Sequence, residues 1–240
     1  MRIMKKIAAK AKDNRTVGCV TMAFLGDSVT QGCFEVYQDE SRNIVPVFDQ
    51  KSAYHAYLKR ILAALYPGVP VNMINAGISG DTAAQGVQRL ERDVLRYSPD
   101  LAVVCYGLND SGGGMEGVHE YGEKLRDIFN ILDSNGIERI FLTPNMMNTG
   151  ISPHIREEAV RQTAVRTMEM QTGSTFDAYI AEAKRVCGEC GVRVCDCYEK
   201  WKLLYENGVD ITELLSNRIN HPTREMNWLF AVSLLETMMR

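Results

Sequence analysis

Phe24-Leu25-Gly26-Asp27-Ser28-Val29-Thr30-Gln31-Gly32 lies where an apolar run ends. Met22 to Leu25 read as the tip of a buried strand, and Gly26 releases the backbone into a sharp turn. Ser28 is thereby set at the carboxyl end of a strand, where open α/β sheets hold their ligands. A hydroxyl in that place is a candidate nucleophile. Gly-Asp-Ser is also ordinary turn and helix N-cap chemistry, so the rest of the chain must decide.

Outward from this loop, strand and helix patterns alternate. Strands are expected at 20–25, 71–75, 101–106, 139–143 and 192–197, the third a near-continuous apolar run suited to a central parallel strand. Helices are expected at 52–65, 82–97, 117–135, 155–187 with a break at 172–174, and 223–239. Such alternation implies right-handed crossovers and a parallel sheet covered on both faces. The expectation is an α/β protein, one three-layer α/β/α domain over 1–240, with about 1–17 as a basic N-terminal extension. Residues 34–51 read as one long irregular stretch, placed to wall a pocket after the serine loop.

Composition narrows the function. Hydrophobic residues make up 45% and charged residues 24%, enough to bury a large core. A net charge of −3 gives no electrostatic case for a nucleic-acid partner. The basic N-terminus lacks the apolar core of a signal peptide, and no window reaches membrane-spanning length, so the default compartment is cytoplasmic. Seven cysteines are an odd count for a disulfide framework. Cys187, Cys190, Cys195 and Cys197 resemble a metal-ligand run, but with spacing much shorter than in common zinc ribbons. The bland reading is a helix end followed by a strand with free cysteines in the core. No cofactor is expected.

Three further segments bear on Ser28. The second strand runs into Asn75-Ala76-Gly77-Ile78-Ser79-Gly80, and the third into Gly107-Leu108-Asn109-Asp110. Neighbouring strands of a doubly wound sheet end on one rim, so these loops should meet the serine loop. Gly77 leaves a backbone N–H open to a ligand, and the Asn109 amide is a neutral donor for a developing oxyanion. His221, in Asn220-His221-Pro222 ahead of the last helix, is placed to act as a base. Each alone has a plain structural reading: a tight turn, a self-capping Asn-Asp, a surface histidine. Together at one rim they are hard to explain so.

Gly26-Asp27-Ser28, Gly77, Gly107-x-Asn109-Asp110 and His221-Pro222 resemble the four blocks of the SGNH hydrolases, also called GDSL esterases and lipases. The order and separations match from about residue 21 to about 231. The resemblance implies a flavodoxin-like sheet of five parallel strands, Ser28 as nucleophile and His221 as general base. It implies the Ser28 and Gly77 amides and the Asn109 side chain as oxyanion donors. It further implies a carboxylic-ester hydrolase working through an acyl-enzyme on a small-molecule or glycan ester, with short acyl groups, acetyl on carbohydrate among them, as leading substrates. A lysophospholipase or thioesterase is the alternative.

One position departs from that pattern. The family places an Asp three residues before the histidine, where this chain has Arg218. A guanidinium has no acceptor and disfavours a nearby imidazolium. The acceptor orienting His221 must then be a backbone carbonyl of this loop, the side chain of Asn217 or Asn220, or a carboxylate such as Asp210, with the carbonyl or Asn217 favoured. The same departure admits a different class of function: a glycan- or acyl-binding protein that kept the fold and lost the chemistry.

Overall fold

The computed structural model describes residues 1–41 and 43–240. In chain order the strands are β1 (Val20–Gly26), β2 (Cys33–Gln38), β3 (Ile44–Phe48), β4 (Val71–Gly77), β5 (Leu101–Cys105), β6 (Glu138–Leu142) and β7 (Arg193–Cys195). The helices are α1 (Arg2–Lys12), α2 (Ser28–Gln31), α3 (Tyr54–Leu65), α4 (Ala83–Asp93), α5 (Val118–Ser134), α6 (Glu158–Thr172), α7 (Thr175–Glu189), α8 (Cys197–Glu206) and α9 (Asn227–Met239).

Five strands pair in parallel in the order β4-β1-β5-β6-β7, the flavodoxin-like arrangement. Helices α1, α3 and α9 pack together, as do α4, α5 and α7, giving a three-layer α/β/α fold. All of β5 is buried, as its apolar run requires. In register, Gly26 faces Gly77 on one side and Cys105 on the other. The loops that leave β1, β4 and β5 therefore start level with one another. The connection from β1 runs toward β4 and that from β5 toward β6, in opposite directions, and between such strands doubly wound sheets open a crevice.

Several elements differ from the sequence expectation. The stretch 34–51 is not irregular: β2 and β3 form an antiparallel hairpin. Its strands are half exposed and β3 carries Pro46, which an edge strand tolerates; among the described residues no third strand pairs with this ribbon. Those features weaken the apolar alternation that marks a strand. The expected strand at 192–197 is shorter, because the Asp196 side chain accepts from the Glu199 N–H and opens α8 at Cys197. Within the basic N-terminal extension lies a helix that the sequence pattern did not announce. Helix α1 buries Ile3 and Ile7, and Glu138 accepts from the Arg2 and Ile3 amides at 2.9 and 2.8 Å.

Arg89 on α4 ties the strand ends together. Its Nε donates to Asp81 Oδ2 (2.6 Å), Nη1 to the Ala76 carbonyl (2.6 Å) and Asp93 Oδ2 (3.1 Å), and Nη2 to the Gly26 carbonyl (2.9 Å) and Tyr106 hydroxyl (2.8 Å). All five guanidinium N–H groups are thus engaged, on a side chain 7% exposed. Removing one partner of a buried ion pair leaves the others unmatched, at a cost of about 3–5 kcal/mol. Arg89→Leu should lower the urea midpoint accordingly, whereas Arg92→Leu, at an exposed neighbour, should leave it near wild type. Equal midpoints for the two variants would refute the hub.

Candidate active site

Helix α2 begins directly after β1, and Asp27 caps it by accepting from the Val29 N–H at 2.9 Å. Ser28 is its first residue, and Ser28 Oγ lies 2.9 Å from His221 Nε2. Both residues are nearly enclosed, 7% and 6% exposed. The loop carrying His221 is closed by its own hydrogen bonds. Asn217 Oδ1 accepts from the amides of Ile219, Asn220 and His221, and the Ser216 N–H donates to the His221 carbonyl at 2.7 Å. Arg218 takes a left-handed conformation, φ 60°, inside this coil.

His221 Nδ1 lies 3.0 Å from the Phe34 carbonyl. A carbonyl only accepts, so Nδ1 carries the proton and Nε2 presents a lone pair to the Ser28 hydroxyl. The orienting acceptor is thus a backbone carbonyl, but it comes from β2 and not from the histidine's own loop. Asn217 uses its oxygen on the loop backbone and donates from Nδ2 to Asn220 Oδ1. Asp210 accepts from the Thr212 N–H at 2.9 Å, which caps a local turn. Arg218 engages Glu213. None of the three candidate side chains supplies the contact to Nδ1. A main-chain carbonyl carries no sequence signal, so Phe34 could not have been picked out.

Opposite the histidine, the turn after β4 is fastened to α2. Gln31 Oε1 accepts from the Ser79 amide and hydroxyl, both at 2.8 Å, and Asn75 Nδ2 donates to the Gln31 carbonyl. The Gly77 N–H does not face a ligand site: it donates to Asn75 Oδ1 at 3.0 Å. What position 77 requires is space, since a Cβ there would fall 2.2 Å from the Gln31 nitrogen. Three residues on, Gly80 has φ +82° in a turn closed by the Asp81 N–H and Ile78 carbonyl, a conformation that favours glycine. Among the described residues, the Gly80 and Ser28 amides have no hydrogen-bond partner. Asn109 gives one amide hydrogen to the Asp81 carbonyl at 2.9 Å, leaving the other. The signal for Gly80 was present, as Ser79-Gly80-Asp81-Thr82 reads as a turn into a helix.

Two carboxylates lie behind the serine. Burial pushes Asp27 up to about 7 and Asp110 up to about 6, and Asp110 adds to the shift of Asp27. Their hydrogen bonds to the Val29 and Ala83 amides place them as caps, not as partners of the imidazole. A cavity of about 320 Å³ opens between the β2–β3 hairpin and α6, bordered by His221 and Asn220 and walled by Val36, Ile44, Val160 and Ile219. The cysteines do not form a ligand set. Cys187 ends up buried on α7, Cys190 caps that helix, Cys195 closes β7 and Cys197 opens α8. Among the described residues, no group of three or more His, Cys, Asp or Glu side chains is placed to hold a metal ion. Nor is any helix long and apolar enough to cross a membrane.

Burial holds the His221 imidazole below its ordinary range, opposed by the Phe34 carbonyl and the Glu35 carboxylate. Lowering that pKa keeps the base form populated to lower pH. The rate at which Ser28 reacts with a fluorophosphonate should therefore stay level through neutrality and fall only below about pH 6.5. A half-maximal rate above pH 7 would contradict this environment.

Residues 24–229 match the model of the GDSL-like lipase/acylhydrolase family. An acetylxylan esterase of Geobacillus stearothermophilus is 32% identical over 89 residues, a stretch covering 37% of this chain and 39% of that protein. A crystal structure of a catalytic mutant of an acetylxylan esterase from the same organism superposes with a TM-score of 0.67 at 20% identity, covering 92% of this chain and 95% of the other. A lipase/acylhydrolase from Enterococcus faecalis gives 0.64 at 22% identity, covering 91% and 95%. At such identities these structures establish the fold, and the family match covers most of the chain. The protein belongs to the GDSL-like lipase/acylhydrolase family.

Proposed function

We propose that this protein hydrolyses carboxylic esters of short acyl groups through an acyl-enzyme on Ser28, acetyl groups on carbohydrate leading because two of the similar proteins are acetylxylan esterases. The observation that carries the reading is the 2.9 Å contact of Ser28 Oγ with an imidazole whose other nitrogen is anchored. A serine hydroxyl is a weak nucleophile until a base removes its proton during attack. His221 Nε2 takes that proton and returns it to the leaving alcohol. The oxyanion of the tetrahedral intermediate meets the Ser28 amide, the free hydrogen of Asn109 and the Gly80 amide, which replaces Gly77 in this role. Water then repeats the sequence and releases the acid.

The cavity beside His221 is at the small end of the roughly 300–1,000 Å³ typical of ligand sites, in keeping with a short acyl group and one small alcohol unit. Its apolar walls favour one second reading, a lysophospholipase or thioesterase that seats an alkyl chain there.

A chain-length series of p-nitrophenyl esters separates the two. Rates should peak at acetate or propionate and vanish in Ser28→Ala; a maximum at eight carbons or more selects the second reading, and unchanged rates in Ser28→Ala sink both. Asn109→Ala should lower kcat by roughly 10²–10³ with a smaller change in KM. A kcat near wild type would remove Asn109 from the oxyanion site.

A further inference from the structure

His221 and the carbonyl it leans on belong to segments far apart in sequence, and one side chain joins them. Arg224 follows His221 by three residues, and its guanidinium reaches back to the start of the hairpin. Nη1 meets Glu35 Oε1 at 2.6 Å, Nη2 meets Glu35 Oε2 at 3.1 Å, and Nε meets Asp49 Oδ2 at 3.2 Å. The guanidinium also lies over the Phe34 ring, 4.4 Å from its centroid. Residues 34 and 35 at the start of β2 and residue 49 just after β3 stand together at the open end of the ribbon, where Cys33 pairs with Phe48, so a single group ties both strands there.

The arrangement is poorly explained as a stabilising surface pair. The Arg224 and Glu35 side chains are 34% and 41% exposed, and pairs this wet contribute little to folding. A forked Arg–carboxylate pair with an aromatic platform supplies something else, a defined geometry. What it defines here is the position of the peptide next to Glu35, whose carbonyl is the only acceptor at His221 Nδ1 among the described residues.

We propose that Arg224 is a positioning residue for the general base: by clamping Glu35, Asp49 and the Phe34 ring it holds the Phe34 carbonyl against the Nδ1 proton of His221. Arg224 thus acts through the hairpin, where a carboxylate three residues before the histidine would act directly. The inference rests on the ester-hydrolase function proposed above. It also accounts for why Arg218 at that position need not disable the site.

The test measures kcat, KM and melting temperature for wild type, Ser28→Ala, Arg224→Gln, Arg224→Lys, Glu35→Gln and the Arg224→Gln/Glu35→Gln pair on a short acetyl ester. A drifting base should cost on the order of tenfold to a hundredfold in kcat. Arg224→Gln should show that loss with KM and melting temperature close to wild type. The double variant should be no slower than the slower single, because both remove one clamp. Arg224→Lys, which keeps the charge but not the fork, should fall between. Wild-type kcat in Arg224→Gln, or losses that multiply in the double variant, overturns the clamp alone. Losses that track a lowered melting temperature in every clamp variant also overturn it, since the role is then structural. A wild type inert on all esters and no different from Ser28→Ala overturns the function beneath it.

Discussion

The Arg89 guanidinium is the constraint from which the rim of the sheet is built. Its partners are the Gly26 carbonyl at the end of β1, the Ala76 carbonyl in β4, the Tyr106 hydroxyl beyond β5 and the Asp81 carboxylate in the turn between β4 and α4. Buried carbonyls at strand ends are costly to leave unmatched, and the Gly26 carbonyl accepts from the Ile78 N–H at 3.1 Å as well as from Arg89. One cation thus joins two strand-end carbonyls and the Asp81 turn above the sheet. Because Asp81 gives its own carbonyl to Asn109, the side chain proposed to meet the oxyanion is held by the same hub. Charge buried in α4 thus becomes geometry at Ser28.

On the other side of Ser28, the structure uses a neutral acceptor where a carboxylate is usual. A carboxylate does two things for such a histidine: it selects the tautomer and it stabilises the imidazolium. The Phe34 carbonyl achieves the first, since it can accept only from Nδ1–H. It achieves less of the second, because a carbonyl is a dipole without the net negative charge that attracts an imidazolium. The Glu35 carboxylate next along the chain contributes part of the missing field, while its pairing with Arg224 limits how much. A site built this way should favour substrates with good leaving groups, for which less proton transfer is needed at the transition state.

Much of this could be read in the chain because the informative residues carry their chemistry in side chains or in glycine. The strand-end serine, Asn109, His221 and the five-strand alternation are of that kind. What escaped reading depends on main-chain groups or on distant pairing. The Phe34 carbonyl has no letter in the sequence. Gly80 has one, but Gly77 looked like the donor when its true requirement is close approach to Gln31. Nothing in the sequence singles out Arg89 or Arg224, whose partners Gly26, Glu35 and Asp49 lie far away in the chain. The hairpin was hidden by half-exposed strands and a proline, and α8 by the short strand before it.

The central claim is that the resting site holds neutral His221 with its proton on Nδ1, set there by a carbonyl, and a bare Nε2 facing Ser28. Nitrogen-15 NMR of histidine-labelled protein at pH 7.5, with His221 assigned by His221→Gln, reads this directly. The account predicts a protonated Nδ1 and an unprotonated Nε2, unchanged in Ser28→Ala. An Nε2–H tautomer, or an imidazolium at that pH, would contradict it.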